Sequence, residues 1–365
     1  MKIIFTINTP AQLHFYKNII GILKNRGIEV KLIIRNYGET KILADEIILD
    51  YYFFSGKTNL LNYPKDILYL LKLYKKIKPD VVIGSLIYDA IPTNLLNISL
   101  ITFIDSTILD KISFFLNFRF FINFTDVIIT PKTIENTLGI KHLKINSYKE
   151  LAYLSPNYFS PDGDIGTLLG LDRDEEYVLL RFNAFDAVHD LGIGGFRDHD
   201  KIKLVEELEK YAKVFISSEA GVPDSIKDRV LKLPKSRIHD VIYYAKMLVA
   251  DTGTMVTEAA CLGTPAIMFH PKVKIMGNFI ELEQKYQLIF GYDSNPEFVI
   301  QKALKLIQIP NLKQEWQKRR ERLLKDKIDI TAFMVWFLEN YPESFRMMKE
   351  RPEIQERFKI STCNF

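Results

Sequence analysis

The chain has 365 residues, 47% of them hydrophobic and 26% charged, so it is long enough for about two domains, each with its own core. Its formal net charge of +4 is too small to indicate the concentrated basic face of a nucleic-acid-binding protein. Cys261 and Cys363 fit neither a disulfide framework nor a metal-ligand spacing. No run reaches the roughly 18 apolar residues of a membrane span. We therefore expect a cytoplasmic protein that binds no nucleic acid.

The first part of the chain alternates between apolar runs typical of strands and segments with helical spacing. Residues 2–7 predict a strand, residues 11–27 a helix that stops at Gly27, and residues 29–35 a second strand. The pattern continues with a helix over 63–80, a helix starting near Tyr88, and strands over 81–85, 100–105 and 127–130. Such alternation predicts a parallel sheet covered by helices on both faces.

Pro, Gly, Ser and Asp concentrate between residues 151 and 175, which indicates a linker. The alternation then restarts, with strands predicted over 177–182, 213–217, 247–250 and 266–269 and helices over 200–212, 237–245 and 295–307. We therefore predict an α/β protein of two Rossmann-like, doubly wound domains, residues 1–160 and 170–329, that face each other across a cleft. The apolar stretch 330–350 is expected to cross back onto the first domain as a C-terminal helix.

The stretch "VADTGTMVTEAACLGTPAIMF", residues 249–269, passes from a strand end through a turn into a helix. Ligands bind outside the carboxyl ends of parallel strands, and the unpaired N–H groups of a helix start suit a pyrophosphate. Thr252, Gly253 and Thr254 form the turn, and Glu258 lies one helical turn after Thr254, where its carboxylate can accept both hydroxyls of a ribose. The alternative is that Gly253 only turns the chain and Glu258 is an acid near a positive helix end.

Further candidates lie at or after predicted strands of both domains. His14 starts the first helix, where it can serve as a general base or as a surface or cap residue. Asp105 ends the strand 100–105, where it can orient a sugar hydroxyl, act as a base, or cap a turn. The loop after Arg181 carries Asp186 and His189, an acid and an imidazole for acid–base chemistry. The alternative is that this segment is only a long solvated loop. The spacing of its acids and histidines matches no structural zinc site.

Two stretches raise the question of a membrane surface. Residues 313–327 are strongly basic with helical spacing, and residues 112–124 are rich in aromatic side chains. Together they would suit peripheral contact with an anionic membrane that carries a lipid-linked acceptor. The alternative is a solvated helix face and a segment that faces the core.

The stretch "DTGTMVTEAACLGTPAIMF" resembles the signature of nucleotide-sugar enzymes of the GT-B fold, namely MurG-type glycosyltransferases and non-hydrolysing UDP-N-acetylglucosamine 2-epimerases. The whole chain resembles an archaeal family of unknown function related to them, through "NTPAQLHFYKNII", "ITFIDST", "RFNAFDAVHD" and "ADTGTMVTEAACLGTP". The resemblance implies that Thr252, Gly253 and Thr254 contact a diphosphate and that Glu258 holds the ribose. MurG-type enzymes have a glycine-rich loop before the first-domain histidine, and here Asn8 to Gln12 replace the glycines.

The resemblance implies a glycosyltransferase that uses a UDP-linked sugar and needs neither metal nor cofactor. His14 is then the first choice for the base that deprotonates an unknown acceptor, and Arg181 a ligand of the donor. The alternative enzyme is a 2-epimerase in which His189, oriented by Asp186 or Asp190, works with Asp105. A third hypothesis is a noncatalytic nucleotide-sugar-binding protein.

Overall fold

The computed structural model describes residues 1–37, 39–47, 50–54, 62–105, 120–135, 137–173, 175–183, 195–218 and 221–360. The chain forms two compact units. The first unit consists of Met1–Tyr153 and Lys327–Ile360, and the second unit contains Leu154–Asp326. Each unit contains one sheet of parallel strands, connected in sequence largely through helices. The predicted α/β class with two parallel-sheet domains is confirmed.

The first unit has seven parallel strands in the order β3-β2-β1-β4-β5-β6-β7. The strands are β1 Lys2–Ile7, β2 Glu29–Arg35, β3 Tyr52–Phe54, β4 Val81–Ile83, β5 Ser99–Phe103, β6 Val127–Pro131 and β7 His142–Ile145. The helices among its described residues before the second unit are α1 Pro10–Asn25, α2 Thr40–Ile47, α3 Tyr63–Ile77, α4 Leu86–Leu96 and α5 Leu151–Leu154, the last of which spans the boundary between the units. The order reverses between β1 and β4, which makes this pair the topological switch point of the sheet.

Helix α1 begins where its sequence provides a start signal. The Thr9 hydroxyl accepts a hydrogen bond from the Gln12 backbone N–H at 3.2 Å, and Pro10 occupies the first turn, where no intrahelical N–H bond is lost. The preceding strand β1 is buried from Ile3 to Ile7, as expected for a central parallel strand covered on both faces. These signals place the chain immediately after β1 at the carboxyl edge of the sheet.

The C-terminal segment belongs to the first unit, where it forms α13 Ile330–Glu339 and α14 Glu343–Glu350. The predicted single helix over 330–350 is therefore two helices, separated at Pro342, which has no backbone N–H for a continuous ladder. Helix α13 packs against α1, and the Arg26 guanidinium donates to the Glu339 carboxylate at 2.6 Å. The Thr331 hydroxyl donates to the Ala152 carbonyl at 3.0 Å.

The second unit has five parallel strands in the order β12-β11-β10-β8-β9. The strands are β8 Tyr177–Phe182, β9 Lys213–Ser218, β10 Met247–Ala250, β11 Ala266–Phe269 and β12 Ile289–Tyr292. Its described helices are α6 Ile165–Leu168, α7 Asp198–Leu208, α8 Ile238–Tyr244, α9 Gly253–Leu262, α10 Gly277–Ile280, α11 Pro296–Ile307 and α12 Leu312–Asp326. Short 3₁₀ turns at Asp224–Arg229 and Lys235–Arg237 precede α8.

Several predicted boundaries differ from the structure. Strand β5 ends at Phe103, so the prediction that Asp105 ends this strand is wrong and the residue lies in the connection that follows. The β5–β6 register pairs Phe103 with Ile129, and the Ile104 N–H donates the last ladder-like bond to the Ile129 carbonyl at 2.9 Å. Strands β3, β7 and β12 and helix α2 were not predicted.

Candidate functional site

The turn after β10 is the centre of the candidate site. Thr252 has extended backbone angles, φ −128° and ψ 140°, and Gly253 begins α9 directly after it. Thr252, Gly253 and Thr254 are all partly exposed, whereas α9 is buried from Met255 onward. Because the first N–H groups of an α-helix have no intrahelical acceptor, this turn presents backbone donors and a partial positive charge at an open position.

Gly253 has a packing role at this turn. A Cβ atom built at Gly253 would lie 2.8 Å from Cζ of Phe279 and 3.7 Å from Cε of Met268, and Phe279 is itself buried. The small residue lets the start of α9 approach the Phe279 ring closely. The sequence suggested that this glycine admits a ligand; the structure shows in addition that it admits the aromatic ring behind the turn.

Asp251 links the turn to the connection after β8. Its carboxylate accepts hydrogen bonds from the backbone N–H groups of Asn183, at 2.7 Å, and Phe196, at 3.4 Å. Burial raises the pKa of Asp251 to about 6, while these two N–H groups favour the ionised form. Residues 184–194 lie between the two donors in sequence, and the predicted site residues Asp186 and His189 fall there, outside the described residues.

Arg181 lies at the carboxyl end of β8, between the ends of β9 and β10. Its guanidinium Nη1 donates to the Ser217 hydroxyl at 2.9 Å, and its carbonyl accepts from the Asp251 N–H at 3.2 Å. A cavity adjoins this position on the side of β9 and α8. It is lined by Ile216, Ser217, Ser218, Leu233, Lys235 and Ile238. The guanidinium therefore contacts a residue that lines the cavity, and the Arg181 backbone is bonded to the residue before the turn.

Glu258 lies on α9 and is almost fully buried. Its Oε1 atom is 3.1 Å from Nε2 of His239 on α8, and each of these residues is only 4% exposed. The sequence pattern indicated a role for Glu258 but none for His239, which is 19 positions away in the chain. No local sequence pattern indicates this pair, because it depends on the packing of α8 against α9.

His14 and Asn8 occupy the carboxyl edge of the first sheet. His14 is 6% exposed, and its ring stacks on Tyr153 with the ring centroids 5.2 Å apart. Asn8 follows β1 and is equally buried, and neither polar atom of its side-chain amide has a hydrogen-bond partner in the part of the chain that the structure describes. A buried amide without partners indicates a position that a bound polar group or water would complete.

Asp105 forms a close ion pair with the ammonium group of Lys149, which also lies 3.7 Å from the Glu150 carboxylate. The carboxylate of Asp105 is partly exposed. The structure thus gives Asp105 a charged partner that the sequence analysis did not identify.

The basic helix α12 covers the carboxyl end of α9. The Arg320 guanidinium donates to the Cys261 carbonyl at 2.7 Å, and the Gln317 amide donates to the Leu262 carbonyl at 2.9 Å. The ammonium group of Lys313 contacts the Thr264 hydroxyl closely. These side chains face the protein, which does not fit their use on a membrane surface. The aromatic stretch 112–124 lies outside the described residues up to position 119.

The described part of the chain contains no group of three or more His, Cys, Asp and Glu side chains placed to hold a metal ion. Within the same residues, none of the helices combines the length and the apolar character that crossing a bilayer requires.

The structure brings one group of predicted site residues together within the second unit, namely Arg181, Thr252, Gly253, Thr254 and Glu258. His14 and Asp105 belong to the first unit. Ser217 and His239 were not predicted as site residues. Ser217 had a sequence signal, because it stands at the carboxyl end of a predicted strand.

Solved structures with this fold include enzymes that act on nucleotide sugars. The UDP complex of MnaA from S. aureus is 14% identical, with a TM-score of 0.64, and the match covers 91% of this chain and 96% of that one. UDP-GlcNAc 2-epimerase from Methanocaldococcus jannaschii, in complex with UDP-GlcNAc and UDP, is 16% identical with a TM-score of 0.62 and coverage of 85% and 94%. A glycosyltransferase from Rickettsia africae is 13% identical with a TM-score of 0.61 and coverage of 94% and 98%.

These similarities establish the GT-B type of fold for the chain. No curated protein matches the sequence. The family described as "Protein of unknown function (DUF354)" matches residues 1–339, which is most of the length, and the chain therefore belongs to this family.

Proposed function

We propose that this protein is an enzyme acting on a nucleotide-activated sugar, with the nucleotide held by the second unit. The observation that carries the proposal is the partly exposed turn Thr252–Thr254, which places the start of α9 at the carboxyl edge of a parallel sheet. A diphosphate at this position would receive backbone N–H bonds and the field of the helix start. The solved relatives include complexes with UDP, which supports uridine as the nucleoside.

The other groups of the site suit the remaining parts of such a ligand. Arg181 is 8% exposed and lies next to the turn, where its fixed positive charge would attract the diphosphate. The cavity lined by Ser217, Lys235 and Ile238 has both polar and apolar walls, as a planar base requires. Glu258 is the proposed partner of the ribose hydroxyls.

The preferred reaction is glycosyl transfer. The acceptor oxygen bonds to the anomeric carbon while the bond from that carbon to the diphosphate oxygen breaks, and the acceptor proton passes to a base. The start of α9 and Arg181 would stabilise the charge on the departing diphosphate without requiring a metal ion. His14 is the proposed base. The buried side-chain amide of Asn8, which has no hydrogen-bond partner among the described residues, supports acceptor binding by the first unit.

A 2-epimerase is the second candidate, because epimerases are among the solved structures that match more than nine-tenths of the chain. In this reaction a base removes the proton from C2 of the sugar while UDP leaves, and UDP then adds back after a proton returns on the other face. Asp105, whose carboxylate is paired with Lys149, and His189 are the proposed acid–base groups.

The deciding experiment incubates the protein with UDP-N-acetylglucosamine in D₂O, with and without a panel of sugar acceptors, and follows the reaction by proton NMR. UDP release that requires an acceptor, with no deuterium at C2, supports transfer. Deuterium at C2 without any acceptor supports epimerisation. Binding of the nucleotide with neither reaction would contradict both enzyme proposals and favour a binding protein.

Two variants would then assign the base. For a transferase, His14→Ala should lower turnover by about 100-fold or more with little change in UDP affinity, as expected when a general base is lost. For an epimerase, His189→Ala should have the larger effect. If neither variant changes turnover, both assignments are wrong.

A further inference from the structure

The contact between α8 and α9 contains a buried acid–imidazole pair. Oε1 of Glu258 and Nε2 of His239 are 3.1 Å apart, and both side chains are about 95% buried. A carboxylate accepts but cannot donate hydrogen bonds, so an ionised Glu258 requires the proton of the imidazole on Nε2. The pair therefore fixes both the tautomer of His239 and the direction of the Glu258 carboxylate.

The position of His239 is itself fixed from a second side. The ring of Phe159 meets its imidazole edge-on, with centroids 6.4 Å apart and planes at 85°. The next residue, Asp240, accepts from the backbone N–H of Asp162 at 2.9 Å and from the Arg237 guanidinium at 2.8 Å. The segment 159–164 thus anchors the start of α8, and a rotation of the His239 ring away from α9 would break its contact with Phe159.

We propose that His239 is a positioning residue for the nucleotide site: its imidazole holds the Glu258 carboxylate in the orientation that binds the ribose diol. This inference rests on the proposed function, because it assigns a ribose to Glu258. A glutamate has three rotatable side-chain bonds, and a carboxylate oriented in advance loses less conformational entropy when it binds a ligand. Discrimination between a ribose and a 2′-deoxyribose should therefore depend on His239.

The test compares the affinities for UDP and 2′-deoxy-UDP by calorimetry. The wild type should prefer UDP by about 10- to 100-fold, the range expected for a hydrogen bond to a charged acceptor. Glu258→Gln should reduce this preference to about 3-fold or less, because a neutral amide accepts more weakly. His239→Phe should remove much of the preference by weakening UDP binding while leaving the affinity for 2′-deoxy-UDP nearly unchanged.

Two further variants separate positioning from general stability. His239→Gln retains a side-chain N–H donor and should restore part of the preference for UDP. His142→Phe removes another buried histidine, which lies in the first unit, and should leave the preference unchanged even where it lowers stability.

The possible failures are distinguishable. If His239→Phe keeps the full preference, or loses affinity for both nucleotides equally, the positioning role is wrong and the proposed nucleotide site stands. If the wild type binds both nucleotides equally, the ribose role of Glu258 and the positioning role of His239 are both wrong. If the wild type binds neither, the proposed function itself is wrong.

Discussion

Replacing Gly253 by alanine tests whether the start of α9 is positioned by its contact with Phe279. The added Cβ would lie 2.8 Å from the ring carbon Cζ and 3.4 Å from Cε2, so the ring or the helix must shift. Overpacking of this kind costs about 1–3 kcal/mol. The better helix propensity of alanine offsets up to about 1 kcal/mol of this cost. We expect Gly253→Ala to lower the free energy of unfolding by about 1–2 kcal/mol.

The assay is urea unfolding of a double-mutant cycle. Phe279→Leu alone should destabilise by about 1–2 kcal/mol, because it removes part of a buried ring. Leucine leaves room for the new methyl group, so the double variant should be more stable than the sum of the single effects by about 1 kcal/mol. Additive effects, or a Gly253→Ala variant as stable as the wild type, would refute the packing argument.

Three further predictions concern the same two units. Glu258→Gln should weaken UDP binding by about 1–3 kcal/mol in calorimetry, and an unchanged Kd would contradict the assignment of the ribose to Glu258. Burial, and to a smaller extent the positive charges of Lys144 and Lys349, lower the pKa of His142 to about 4. The neutral imidazole therefore contributes stability above pH 6.5, and this contribution is lost as the pH falls towards 4. In urea unfolding, His142→Phe should therefore lose about 1–2 kcal/mol less than the wild type between pH 7 and 5, and an equal loss would contradict this. Gln317→Ala should lower the free energy of unfolding by about 1 kcal/mol by removing a donor from the end of α9, whereas the exposed Lys318→Ala should stay within about 0.5 kcal/mol; equal effects would refute the capping role.

The sequence predicted the central strands and one edge strand, β9, and missed the edge strands β3, β7 and β12. Strands β1, β8, β10 and β11 are mostly apolar, as expected for strands buried on both faces, and their positions are confirmed. Strands β3 and β12 have three and four residues and lie at sheet edges. Such short segments are ordered by pairing with a neighbour, and local sequence carries little of that information.

Helix α9 was the best-predicted part of the site because its boundaries depend on local signals. Gly263 ends the helix with φ 69°, a left-handed conformation that glycine adopts without strain. The Glu258–His239 pair and the helix-capping contacts of α12 were not predictable in this way. They join residues 19 to 59 positions apart, and they form only when whole helices pack.

The basic stretch 313–327 shows why charge alone did not identify its role. Arg320 and Gln317 satisfy carbonyl groups at the end of α9, where the helix dipole favours a positive charge. The alternative to a membrane surface was a solvated helix face. This description fits other positions of the stretch, such as the exposed Lys318. The polar residues that face inward have the same composition as those that face solvent, so the sequence pattern does not separate them.

Calorimetric titration of UDP into the wild type and into Arg181→Met tests the central claim, nucleotide binding at the start of α9, most directly. Arg181 is buried beside the turn, and methionine replaces its apolar stem without its charge. We predict saturable one-to-one binding of UDP by the wild type and an affinity about 10-fold or more weaker in the variant, the effect of losing a charged partner of the diphosphate. Equal affinities, or no binding of UDP by the wild type, would contradict the account.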